Sequence, residues 1–298
     1  MDPHVHGARV KLAMFLGLTF GLSAVFWSLI IAAGSLAAHG GAYAYALMWC
    51  PGVSALATRL ALQRNLRGEG WGWGATRWAA LAYVLPLCYA TAAYGLVWLT
   101  GLGGVDLGRF QNRVLPFVVF GSLVSLFSAT GEELGWRGFL VPTLARTMSF
   151  ERTAVVSGVI WAAWHVPIIA FADYNAGTPM WYALPCFGIM VVSLAIPMAW
   201  LRLRSGSVWP AAILHATHNL FVQGFFDRVT VDTGPTRWLT GEFGAALMIT
   251  IGATAWLFWR ARDAVRSPDE GCPGAPPPRR ARGQYPRVPD KFPSRRTV

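Results

Sequence analysis

The chain has 298 residues, of which 54% are Ala, Val, Ile, Leu, Met, Phe, Trp, Tyr or Cys and only 13% are charged, with a mean hydropathy of +0.42. Soluble domains carry roughly 25% charged residues, so this composition excludes an ordinary soluble domain, a disordered chain and a coiled coil, and leaves an all-α protein that crosses a membrane several times. The net charge of +11 does not point to nucleic acid, because the basic residues sort by position along the chain.

A helix needs about 20 predominantly apolar residues to cross a bilayer. Eight runs meet that length: 9–34, 42–63, 77–100, 114–132, 154–173, 181–203, 207–226 and 241–261. The first is longer than the roughly 7–15 residues of a signal-peptide core and reads as a retained anchor, with Gly17 and Gly21 spaced for close helix contact. Between the fourth and fifth runs, GEELGWRGFLVPTLARTMSFERT is too charged to span and reads as the end of span four followed by an interfacial amphipathic helix. Trp71, Trp73, Trp78, Trp98, Trp181, Trp209 and Trp238 cluster at run ends, as interfacial anchors do. The four cysteines are far apart and read as small apolar side chains.

With eight spans and both termini on one side, that side gathers all of the 25 Lys and Arg except Arg109, Arg113, Arg228 and Arg237. The positive-inside rule then places both termini in the cytoplasm. The Arg-heavy, Ala- and Gly-rich composition looks bacterial, which makes the membrane the plasma membrane. The organisation reads as N-terminal transmembrane helices over 1–108, a membrane core over 109–262, and a disordered, basic, Pro-rich tail over 263–298 with an attraction to anionic lipid headgroups.

Ionisable groups inside a bilayer are costly and mark function by default. Glu132 and Glu133 close the fourth run, followed by Arg137; His165 lies within the fifth; His215, His218 and Asn219 lie within the seventh. Glu133 and Arg137 are four apart and share a helix face, as do His215 and Asn219, whereas Glu132 points about 100° away from Glu133. These groups are tolerable if they meet in one polar cavity near the cytoplasmic leaflet. A buried Glu suits general-base work on water, a His can share that water or bind a metal holding it, and a second His with an Asn can donate to an oxyanion. H-E-x-x-H, G-x-S-x-G and Gly-Asp are all absent, which disfavours the usual zinc, serine and paired-aspartate readings.

GEELGWRGFL resembles the EExxxR motif of the type II CAAX prenyl endopeptidases, also called the CPBP or Abi family; WAAWH resembles the family's FxxxH, with Trp161 for the Phe; HATHN resembles its HxxxN. The resemblance covers roughly residues 110–225. It implies an all-helical intramembrane endopeptidase, open to the cytosolic side, acting on a membrane protein or peptide. In it Glu132 and His165 would activate water, His215 and Asn219 would form the oxyanion hole, and Glu133 and Arg137 would shape the site. His218 lies outside the strict motif, as a supporting donor or spare ligand. The cofactor expectation is either none, in a glutamate mechanism, or zinc held by Glu132, His165 and His215. The alternative from another class is a non-catalytic membrane protein that uses the same cluster for partner binding, immunity or proton relay.

Overall fold

The computed structural model describes residues 3–111 and 114–265, and these residues fold mostly into helices. They are α1 (Pro3–Ala33), α2 (Ala42–Gln63), α3 (Thr76–Leu99), α4 (Val114–Leu144), α5 (Phe150–Phe171), α6 (Met180–Ser205), α7 (209–229) and α8 (Ala245–Arg260). The only strands among the described residues are Gly104–Val105 and Thr230–Val231, an antiparallel pair with Gly104 opposite Val231. The protein is thus an all-α polytopic membrane protein. Helices α1, α3, α4, α5 and α6 are long and apolar enough to cross a bilayer. The other three expected runs are also helical, but α2 carries Arg59 and several small residues, α7 is broken by a wide turn, and α8 has 16 residues. The expected tail, together with Cys272, lies outside the described residues.

The helices close into a ring in the order α1, α2, α4, α7, α3, α8, α6, α5 and back to α1. Side chains from α1, α4 and α5 fill one flank of it. Phe15 packs tilted against Phe139 with ring centroids 4.8 Å apart, and the Trp164 indole donates to Ser23 Oγ at 2.7 Å. Exposure separates the tryptophans: Trp71, Trp73 and Trp181 are 43–73% exposed at the helix ends, whereas Trp136, Trp161 and Trp164 are buried in the middle of the ring.

Helix α4 differs from the expectation for 131–153. Residues 131–141 are buried within the ring rather than lying at an interface. The helix widens to i→i+5 turns over Phe117–Gly121 and again over Leu134–Leu140. Such turns upset the regular carbonyl pairing and concentrate at functional sites. Here the nearby carbonyls are taken up from outside the helix: Arg59 Nη2 donates to Gly138 O at 3.2 Å, and Arg202 Nε donates to Arg137 O at 2.8 Å. An apolar-run reading cannot foresee a charged segment whose backbone is satisfied by distant arginines.

Glycines let α2 cross α4 closely. A Cβ on Gly52 would lie 2.5 Å from Gly131 O, and one on Gly135 would collide with Pro51. Gly135→Ala is therefore expected to cost about 1–3 kcal/mol through overpacking. Thermal unfolding in detergent checks this, with Gly95→Ala, whose added methyl meets no heavy atom within 4 Å, as the variant expected to melt unchanged.

Candidate active site

Glu132 and Glu133 close the ordinary helix that precedes the wide turn of α4, and as adjacent residues their carboxylates leave it in different directions. Glu132 Oε2 accepts from Trp161 Nε1 at 2.8 Å and from Trp136 Nε1 at 3.3 Å. Glu133 Oε1 accepts from Arg137 Nη1 at 3.0 Å and from His215 Nδ1 at 2.9 Å. The Glu133–Arg137 pair is wholly buried, with the guanidinium 4.2 Å from the Trp161 ring centroid, so it is no surface salt bridge.

The hydrogen bonds fix the histidines. His165 Nδ1 sits 2.9 Å from Trp161 O, a group that only accepts, so Nδ1 carries the proton. His215 Nδ1 likewise faces the Glu133 carboxylate. Each imidazole therefore has its Nε2 left for other partners. Both rings pack against Trp161, with centroids at 6.0 Å and 5.3 Å. His218 spends both nitrogens, with Nδ1 at 2.7 Å from Tyr89 Oη and Nε2 at 3.2 Å from Glu242 Oε1.

Glu132, His165, His215, His218 and Asn219 line one cavity of about 360 Å³. Glu133 and Arg137 stand behind its wall. Sequence reading missed Glu242, whose other oxygen accepts from Gln223 Nε2 at 2.8 Å and from the Tyr174 hydroxyl. An acidic residue at the head of the last apolar run, in GEFGAALM, was the available signal. Tyr89, Tyr174 and Trp136 left no signal, because an aromatic in an apolar run looks like packing. Glu242→Gln is expected to loosen His218, Tyr174 and Gln223 together, since a carboxamide reproduces fewer of the three acceptor contacts. The check is a lower detergent melting temperature than for the wild type, by an amount matching about 1–3 kcal/mol.

A further buried cluster closes the arginine-rich end. Glu69, in the connection 64–75, pairs with Arg59; Arg59 Nη1 also donates to Arg67 O at 2.8 Å, and Arg202 Nη2 to Gly68 O at 3.0 Å. Burial pushes the Glu69 carboxyl above the ordinary carboxylate range, against the opposing pull of Arg59. Arg59 and Arg202, which sequence reading counted as loop cations, are buried.

Among the described residues no three His, Cys, Asp or Glu are placed to hold a metal ion.

Residues 114–221 match the model of the family described as Type II CAAX prenyl endopeptidase Rce1-like. A curated protein, CAAX prenyl protease 2 of Methanococcus maripaludis, is 31% identical over 102 residues, which are 32% of this chain and 36% of that protein. The chain thus spans about a third of the length of the curated relative it matches. The match takes in every motif residue from Glu132 to Asn219 and stops short of Glu242. Over residues 114–221 the chain is thus similar to the Rce1-like, type II CAAX prenyl endopeptidases that its three motifs resemble.

Proposed function

We propose that the protein is an intramembrane endopeptidase that hydrolyses a peptide bond of a membrane-associated protein or peptide. The observation that carries this reading is the meeting of one carboxylate and two imidazoles, each with Nε2 left for other partners, on the wall of a single buried cavity. About 360 Å³ holds a short extended segment and a water, whose share of liquid volume is about 30 Å³.

In the proposed reaction Glu132, assisted by His165 Nε2, takes a proton from that water. The oxygen bonds to the scissile carbonyl carbon. The oxyanion that forms is met by Asn219 and by His215 Nε2–H. Nε2 carries that proton in the doubly protonated ring, whose Nδ1–H is held by the Glu133 carboxylate. Collapse breaks the C–N bond, and the proton held by Glu132 passes to the leaving amine. Residues 109–262 carry this chemistry, α2 walls the cavity, and Arg137 fixes Glu133. The same reading places the protein in the plasma membrane with both termini cytoplasmic and lipid as its surroundings, and gives nucleic acid no role.

The test is purified protein in proteoliposomes with a library of membrane-associated peptides, read by mass spectrometry. Cleavage at internal bonds, unchanged by a zinc chelator, is expected. Absence of any product sinks the reading; activity lost to chelator and restored by zinc sinks its glutamate form.

A further inference from the structure

Because successive helices alternate in direction, the connections between them fall into two sets. One end of the ring holds 64–75, 145–149, 206–208 and the exit of α8, with Arg64, Arg67, Arg77, Arg146, Arg204 and Arg262 at or beside them. The other end holds 34–41, 100–111, 172–179 and 230–244; its described basic residues are Arg109, Arg228 and Arg237.

The cavity is closed at the first end and open at the second. Its floor at Glu132, Trp161 and Leu194 is 2–3% exposed. Beyond that floor lie the Glu133–Arg137 pair and then the plug made by Arg59, Glu69 and Arg202, all buried. The exposed residues of its wall are Ala37, Tyr45 and Gln223, and Leu36, Gly41, Tyr174 and Glu242 stand beside them. All of these belong to, or adjoin, the arginine-poor end. A second cavity of about 530 Å³ shares Tyr45, Met48, Asn219 and Gln223 with the first and continues to Phe110 and Arg228, at the same end.

Lysine and arginine in short loops hold their end of a membrane protein in the cytoplasm. Cytoplasmic termini and a site open to the cytosol, both expected from the sequence, therefore cannot hold together in this fold. We infer that the charge sorting prevails: the cavity opens away from the cytoplasm, and its substrate is a membrane-associated polypeptide segment exposed on the non-cytoplasmic face rather than a cytoplasmic C-terminal tail. The direction of the mouth stands on charge and geometry alone; calling the occupant a substrate rests on the function proposed above.

Accessibility tests it without any cleavage assay. In a chain whose Cys50, Cys88, Cys186 and Cys272 are replaced by Ser, Ala37→Cys marks the mouth and Gly72→Cys marks the opposite end; both positions are exposed, and a Cβ on Gly72 meets no heavy atom within 4 Å. Spheroplasts are treated with a membrane-impermeant maleimide. Labelling of Ala37→Cys in intact spheroplasts, and of Gly72→Cys only after lysis, is expected; the reverse pattern overturns the inference. A fusion of green fluorescent protein after Val298 makes the same measurement with all native cysteines in place. Fluorescence is expected, and its loss together with an active alkaline phosphatase fusion at the same point overturns the inference. Labelling from outside with no peptide cleaved in proteoliposomes leaves the mouth where it is placed here and removes the peptidase reading alone.

Discussion

Glu132→Gln is expected to lower peptide cleavage by about 10²–10⁴-fold, the usual worth of a positioned general base, while leaving the melting temperature within error of the wild type. The variant separates base from scaffold unusually well. Trp136 and Trp161 donate their indole protons to Glu132 Oε2, and a carboxamide oxygen accepts those bonds equally. What the amide cannot do is take a proton from water. His165→Ala is expected to show a smaller loss if the imidazole only assists. The measurement is kcat in proteoliposomes beside thermal unfolding in detergent. A variant that folds and cleaves at the wild-type rate removes Glu132 from the chemistry. A cellular phenotype kept intact in that variant, or a changed ion flux, favours the partner-binding or proton-relay alternative.

Arg137→Met is expected to destabilise the protein by about 3–5 kcal/mol, because it strands the Glu133 carboxylate inside the ring with one remaining partner, His215. The side chains of both members of the pair are wholly inaccessible, and the guanidinium also stacks over Trp161, so no water replaces what is lost. The double variant Arg137→Met, Glu133→Gln is expected to recover part of that loss, since a buried ion pair replaced whole costs far less than one halved. Detergent melting curves of the wild type, both single variants and the double variant give the coupling. Additive losses would show that the two side chains do not support each other.

The places of the long helices among the described residues were legible because an apolar run of about twenty residues is long enough to cross a bilayer and too greasy to stay in water. The convergence of Glu132, His165 and His215 on one cavity was legible for a related reason: a lone carboxylate or imidazole in a bilayer is so costly that several must share a solution. What escaped was anything that depended on pairing between distant segments. Arg59 and Arg202 look like loop cations until Gly138 and Arg137 are seen to present carbonyls to them. Residues 131–153 look amphipathic because charge is read as exposure, and in 131–141 the charge is neutralised inside. Glu242 was passed over because it stands at a run's edge, where acidic residues are ordinary.

The wide turn over Leu134–Leu140 has a consequence for how the acidic motif tolerates change. It adds a residue to the helix without adding a turn, and so sets the angular phase between the two carboxylates and everything that follows. Upstream that phase is held by α2 seated against Gly131 and Gly135, and downstream by the two guanidinium groups on the backbone. Both carboxylates thus stand on a short shaft gripped at each end. Shortening the shaft by a single residue would swing its later side chains by about a quarter turn, a greater upheaval than replacing any one of them.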